Sequence, residues 1–320
     1  MDADGRLKVY ITGATTAPGL ATLRGFVARD HHVAGNAATL AEAQRLRAVG
    51  GLPVYIAEHN AVDIAGALRM TGARVIVHAA PMAANCLLPD ASHLASAIAS
   101  LRSGTEAILA AAAQMDDPFV VLYSYASLYG DTQGEAVGET QETTGGGALH
   151  EAALAAERKV LESDVPVCIL RAGLLYGPES ESLAALRASL LKGAGLPSGI
   201  GEGLASWLHY EDLAQAAVLS AEKGPTGRVF NVADDQPATR REFLEHFAQR
   251  MGLASPKTGR PGATLRRLPF RGRAGDLPTA SFAVNCDAIH AALGWWPQYA
   301  GHESGLEQTL LTWRAAAARG

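Results

Sequence analysis

The chain predicts a doubly wound α/β fold, a parallel sheet with helices on both faces, extended by a smaller α+β lobe at the C-terminal end. Three observations predict it. Short runs rich in β-branched residues alternate with helical patterns through the first half, a glycine-bearing turn separates the first such run from the first helix, and the rhythm changes after Tyr176. Strands joined through helices run parallel, and crossovers of one hand place helices on either face.

In order, residues 7–12 read as the first strand and 20–29 as a helix, with Pro18 at a helix start where its missing N–H costs nothing. Strands follow at 32–35, 53–57 and 74–78, separated by helices at 40–49 and 62–70. Residues 90–115 read as one long Ala-rich helix, then a strand at 119–123, a helix at 149–163 and a strand at 167–170. Beyond Tyr176, helices are expected at 183–191, 211–222, 240–251, 287–293 and 305–318, with a strand at 228–232. Residues 193–203 are a Gly-rich loop, and 255–280 are loop-like, rich in Pro, Gly and Arg. The expected division is 1–177 for the dinucleotide-type domain and 178–320 for the lobe, partly interleaved with it.

The totals agree. With 320 residues, 48% hydrophobic and 18% charged, the chain can bury a sizeable core, and disorder is not expected. A net charge of -5 argues against general nucleic-acid binding. Cys86, Cys168 and Cys286 are widely spaced with no C-x-x-C, which speaks against a disulfide framework or a metal site. The start of the chain lacks a signal-peptide pattern and no apolar run is long enough to span a bilayer, so a soluble cytoplasmic protein is expected.

The segment from Val9 to Gly19 joins strand to helix. Such a corner offers backbone amides and a helix N-terminus to a pyrophosphate. Gly13 and Gly19 hold the outer positions of a G-x-x-G-x-x-G pattern; Thr16, after Thr15, replaces the middle glycine and brings a Cβ with it. An acidic residue after the second strand would favour NAD and an Arg would favour NADP, but the chain reads Gly35-Asn36-Ala37. The choice between NAD and NADP stays open, with Asn36 as a candidate for a ribose hydroxyl.

Later segments carry a resemblance. Ser124-Tyr125-Ala126-Ser127-Leu128-Tyr129-Gly130, Leu170-Arg171-Ala172-Gly173-Leu174-Leu175-Tyr176-Gly177-Pro178, Trp207-Leu208-His209-Tyr210-Glu211-Asp212, Phe230-Asn231-Val232 and Leu293-Gly294-Trp295-Trp296-Pro297 stand in one order. That ordered set resembles the extended short-chain dehydrogenases, the NAD-dependent epimerase/dehydratase group. The resemblance implies a Rossmann domain with bound NAD or NADP, a small polar substrate such as a nucleotide sugar, and a homodimer. It also places Glu58, Ala79, Ala80 and Leu175 beside the cofactor and Tyr176, Arg266 and Arg267 beside the substrate.

One departure needs no alignment. Members of that group typically use a Tyr-x-x-x-Lys pair, because a phenol is a poor base at neutral pH unless a cation stabilises its anion. Among eight tyrosines and five lysines here, no Tyr precedes a Lys by four. With Glu157 set on the group's downstream Glu, Leu149 takes the Tyr position, Ala153 the Lys position and Tyr125 the Ser/Thr position. Tyr125, Ser124 and His150 are therefore the candidate catalytic residues, against a plain reading in which His150 is a solvated first-turn residue and Tyr125 fills space. Three functions follow: an epimerase/dehydratase-like enzyme with a non-standard acid/base set, a catalytically silent NAD(P)-binding subunit, or a cofactor-free lyase or isomerase using the same cleft.

Overall fold

The computed structural model describes residues 5–56, 60–87, 91–193, 203–253 and 281–318. Its centre is a seven-stranded parallel sheet. The strands are β1 (Lys8–Thr12), β2 (His32–Asn36), β3 (Leu52–Val54), β4 (Val75–His78), β5 (Phe119–Tyr125), β7 (Val167–Ala172) and β11 (Arg228–Val232). Across the sheet they lie in the order β11-β7-β5-β4-β1-β2-β3. The order reverses beside β1, and that switch point is where open α/β sheets leave a crevice at the carboxyl ends of their strands.

The strands are buried because helices cover both faces. α1 (Ala17–Ala28), α2 (Leu40–Ala48) and α3 (Ala61–Thr71) connect the first four strands. α1 packs closely on α8 (Tyr210–Lys223): a Cβ built on Gly25 would stand 3.1 Å from the Ala214 methyl. The chain beyond residue 177 thus returns to the first domain through α8 and β11, and the two parts interleave.

The expected single helix at 90–115 is instead α4 (Ala91–Ala99), a π-helical turn at Ser100–Gly104 and α5 (Thr105–Ala112). A π turn breaks the regular ladder, and the Ser100 carbonyl finds a partner outside the helix: His78 Nε2 donates to it at 3.0 Å. β5 runs two residues further than expected, to Tyr125, and α6 (Ala148–Leu161) begins behind Gly147 at φ +96°.

Small sheets fasten the lobe. β8 (Leu174–Tyr176) pairs in parallel with β10 (Trp207–His209), and β6 (Ala136–Val137) with β13 (Ala283–Val284). β9 (Leu204–Ala205) pairs antiparallel with β12 (Ala238–Thr239). The helices α7 (Glu181–Leu191), α9 (Arg240–Arg250), α10 (Asp287–Leu293) and α11 (His302–Ala317) complete it. Trp207 stacks on Phe243 with ring centroids 3.9 Å apart, joining β10 to α9. Among the described residues, no helix is long and apolar enough to cross a membrane and no His/Cys/Asp/Glu group could hold a metal ion.

Candidate active site at the carboxyl edge of the sheet

The corner after β1 is set by close approach. Gly13 sits at φ +62°, and a Cβ there would lie 2.5 Å from Ala80 Cα. At Gly19 a Cβ would lie 2.0 Å from the Gly13 carbonyl oxygen. Both glycines are therefore required by the tightness of the loop itself. Thr16 is the N-cap of α1: its hydroxyl donates to the Gly13 carbonyl at 2.7 Å and accepts the Gly19 amide at 3.2 Å. The Thr16 amide also donates to Gly13 O, and the Leu20 amide to Thr16 O. Pro18 has no N–H, so the amides of Thr15 and Ala17, at the half-buried tip, are those the corner could offer a pyrophosphate.

The loop leans on the second strand. Asn36 Oδ1 accepts the Ala14 amide at 3.4 Å, so this carboxamide braces the turn. Gly35 gives Ala14 room, since a Cβ there would stand 2.3 Å from the Ala14 methyl. Ala79 and Ala80, past the end of β4, are buried against the same loop. Thr12 and His78 are register partners on β1 and β4. His78 Nε2 is the N–H that serves Ser100, so Nδ1 accepts the Thr12 hydroxyl at 2.6 Å. The residue before Gly13 is thereby tied to the π turn.

Register builds the second half of the site. Ser124, Arg171 and Asn231 form a row across β5, β7 and β11. Glu157 of α6 closes over that row. The Ser124 hydroxyl donates to Glu157 Oε1 at 2.6 Å, Arg171 Nε to the same oxygen at 3.0 Å, and Arg171 Nη2 to Oε2 at 2.6 Å. Arg171 Nη1 donates to the Tyr129 hydroxyl at 2.8 Å, which donates to Asn231 Oδ1 at 2.8 Å. The Asn231 amide goes to Glu139 Oε1 at 2.7 Å, and its Nδ2 to Val137 O. A buried bidentate Arg–carboxylate pair whose third guanidinium nitrogen is also hydrogen-bonded is a rigid element, and it fixes where α6 stands against β5.

The structure thus ties Ser124 to Glu157. Tyr125, 2% exposed, donates its hydroxyl to the Pro81 carbonyl, and burial pushes its pKa up. His150 Nε2 lies 3.0 Å from Ser127 Oγ, and burial lowers its pKa. Ser124, Tyr125 and His150 therefore have separate partners and share no hydrogen bond. Leu175 is buried, its amide donating to Asn85 O at 3.3 Å beside the half-buried Cys86. Tyr176 is 1% exposed in an aromatic cluster with Trp207, His209 and Phe243, its ring against Gly305. Glu58, Arg266 and Arg267 lie outside the described residues. A cavity of about 200 Å³ lined by Lys8, His31, Val33 and Leu52 opens at the other end of β1 and β2, away from the glycine loop.

Sequence reasoning missed the row itself. Arg171 and Asn231 were noted inside motifs, but no spacing in the sequence says that they share a register with Ser124. The signal available was a polar residue at one strand end in three successive apolar runs.

A strand order that reverses beside β1, a glycine corner leading into a helix and an interleaved lobe define a dinucleotide-binding type of α/β protein. Residues 9–233 match the NAD dependent epimerase/dehydratase family, and the chain belongs to it. A 3-diazoavenalumate denitrifying reductase from a Streptomyces species is 32% identical over 317 residues, covering 94% of this chain and 99% of that one. A 4-hydroxy-2-methyl-3-oxo-4-farnesyl-3,4-dihydroquinoline-1-oxide ketoreductase from Stigmatella aurantiaca is 25% identical, covering 83% of this chain and 77% of the other. Among solved structures, dTDP-glucose 4,6-dehydratase from Bacillus anthracis in complex with NAD superimposes with a TM-score of 0.78 at 17% identity, covering 97% of both chains. UDP-glucose 4-epimerase from Thermotoga maritima with UDP-glucose gives 0.76 at 16% identity, covering 97% of this chain and 99% of that one. At these identities the solved structures bear on the fold.

Proposed function

We propose that the chain is a nicotinamide-dependent reductase whose substrate accepts a hydride without needing a proton from the protein, and that this substrate is a diazo-bearing organic acid. The observation that carries the reading is the Ser124–Glu157 hydrogen bond at 2.6 Å. It anchors α6 on β5 at Glu157, and the positions one and two turns earlier on α6 are Ala153 and Leu149. An aliphatic pair on that helix can neither donate a proton nor depress a phenol's pKa. The nearby Tyr125 hydroxyl is already engaged with Pro81, and its raised pKa makes it a poorer acid.

Chemistry then narrows the substrate. Hydride addition to a ketone leaves an alkoxide, which a positioned acid must protonate for fast turnover. Hydride addition to a diazonium-bearing carbon needs no acid: the new C–H bond forms, the C–N bond breaks, and its electron pair leaves with dinitrogen. The name of the Streptomyces relative points to the same class of compound.

The nicotinamide dinucleotide, when bound, supplies the hydride. The Thr15 and Ala17 amides would hold its pyrophosphate, with Thr16 fixing the helix start, and Gly13, Gly19, Ala79 and Ala80 would shape the walls. Leu175 would line the far side, and Asn36 braces the loop. Ser124 positions α6 through Glu157, and Tyr125 and His150 shape the corner without moving a proton.

The test is a paired assay. NADH or NADPH is mixed with the protein and either an ortho-diazo phenolic acid or a panel of ketones and keto sugars. Cofactor oxidation with stoichiometric release of dinitrogen supports the proposal. Oxidation with a keto sugar and none with the diazo acid overturns it in favour of an epimerase-type enzyme.

A further inference from the structure

Arg240 opens α9 on the same buried stripe as Phe243, Leu244 and Phe247. The residue is 2% exposed, yet Nε and Nη1 have no hydrogen-bond partner among the described residues. A guanidinium presents five donors and stays charged, and a buried one without an anion is costly enough that an aliphatic residue would serve folding better. Burial pushes its pKa down to about 10, which leaves it a cation at neutral pH. The nearest carboxylate in sequence is already used: Glu242 Oε2 accepts the Thr239 amide at 2.8 Å, and the Glu242 amide donates to Thr239 Oγ1 at 3.1 Å.

Its place in the fold suits a ligand. The chain reaches Arg240 from the carboxyl end of β11 through Asp234 and Gln236, and then β12, where Thr239 pairs with Leu204 of β9. In open α/β sheets, ligands bind outside the carboxyl ends of the strands. Carboxylates and phosphates are the groups whose oxygens match two parallel guanidinium N–H bonds.

We infer that Arg240 is an anion-recognising residue of the lobe that takes a planar oxyanion of the substrate, its carboxylate. The anion site stands on Arg240; that its occupant is the organic acid reduced at the nicotinamide rests on the function proposed above.

The experiment uses the full chain, wild type, Arg240→Met and Arg240→Lys, with cinnamate as the carboxylate probe and UDP as the diphosphate probe. Binding is followed by calorimetry and melting temperature in the ligand-free protein. Cinnamate affinity is expected to fall about tenfold to a hundredfold in Arg240→Met, with part recovered in Arg240→Lys. The free Arg240→Met protein is expected to melt at or above the wild-type temperature, because an unpaired buried charge has been removed. UDP binding that depends on Arg240, without cinnamate binding, supports the anion site and assigns it to a diphosphate. A lower melting temperature in Arg240→Met means that the guanidinium is paired within the chain and overturns the inference, as does equal cinnamate affinity or no binding of either probe. Titration with NADH and NADPH separates the two ideas: cinnamate binding with neither nucleotide bound strikes the reductase reading and leaves the anion site standing.

Discussion

Thr16 donates its hydroxyl to the Gly13 carbonyl at 2.7 Å, so a side chain of this protein closes the loop where the family pattern has a glycine. The same hydroxyl accepts the Gly19 amide. The helix start is capped from within, which leaves the Thr15 and Ala17 amides as those the corner could offer a ligand.

The first prediction concerns Gly13. Alanine there meets Ala80 Cα at 2.5 Å and must hold φ +62°. Gly13→Ala is expected to cost about 2 kcal/mol or more and to weaken dinucleotide binding at least tenfold. Urea denaturation and titration with NADH and NADPH check both; wild-type values in each would remove the corner from the site.

The second concerns proton donors. A positioned general acid contributes about 10²–10⁴ in rate. Tyr125→Phe and His150→Ala are expected to keep single-turnover hydride transfer within about tenfold of wild type. A drop of two orders of magnitude in either, in protein that still binds cofactor, would restore that residue as an acid.

The third concerns the pair that sets α6. Removing one member of a buried ion pair strands the other, so Glu157→Gln and Arg171→Met should each cost about 3–5 kcal/mol. The double variant should cost less than the sum, because the stranded charge is gone. Chemical denaturation of the three proteins measures the coupling, and strict additivity would show that the contact fixes nothing.

The fourth concerns pH. Burial pushes the Asp234 carboxyl up to about 8 and Asp212 up to about 7. An unfolded aspartate ionises near ~3.9, so between that value and the folded pKa the folded state holds more protons. Stability from these groups is full below the unfolded pKa and is lost as pH rises toward the folded values. Asp234→Asn removes that dependence. Its melting temperature relative to wild type should climb from about pH 5 to about pH 8, whereas a constant difference would contradict the assignment. His209, lowered to about 4 by burial, acts in the opposite sense below about pH 6.5, which is why the difference curve is the quantity to read.

Much of this fold is legible in the chain. The strand at 228–232 and the helix at 287–293 coincide with β11 and α10, and the strand expected at 74–78 is present and fully buried from Val75 to His78, because a parallel central strand must be apolar on both faces. The two- and three-residue strands β8, β9, β10, β12 and β13 are too short to show period-two alternation, and they exist because the lobe folds back on itself. The π turn at Ser100–Gly104 leaves no mark in an Ala-rich segment; the partner of its Ser100 carbonyl is His78, distant in sequence. The site divides in the same way. Gly13 and Gly19 were legible as turn residues and Ser124 as part of a motif, while the bond from Ser124 to Glu157, the bracing role of Asn36 and the Ser124–Arg171–Asn231 row depend on packing and register. The absent Tyr-x-x-x-Lys pair could be read outright.

The most direct measurement follows the transferred hydrogen. The diazo acid is reduced once with cofactor deuterated at the nicotinamide carbon in ordinary water, and once with ordinary cofactor in heavy water. Deuterium is expected on the carbon that lost nitrogen in the first experiment, with none there in the second. Deuterium from solvent on that carbon, or turnover that continues without nicotinamide, would contradict this.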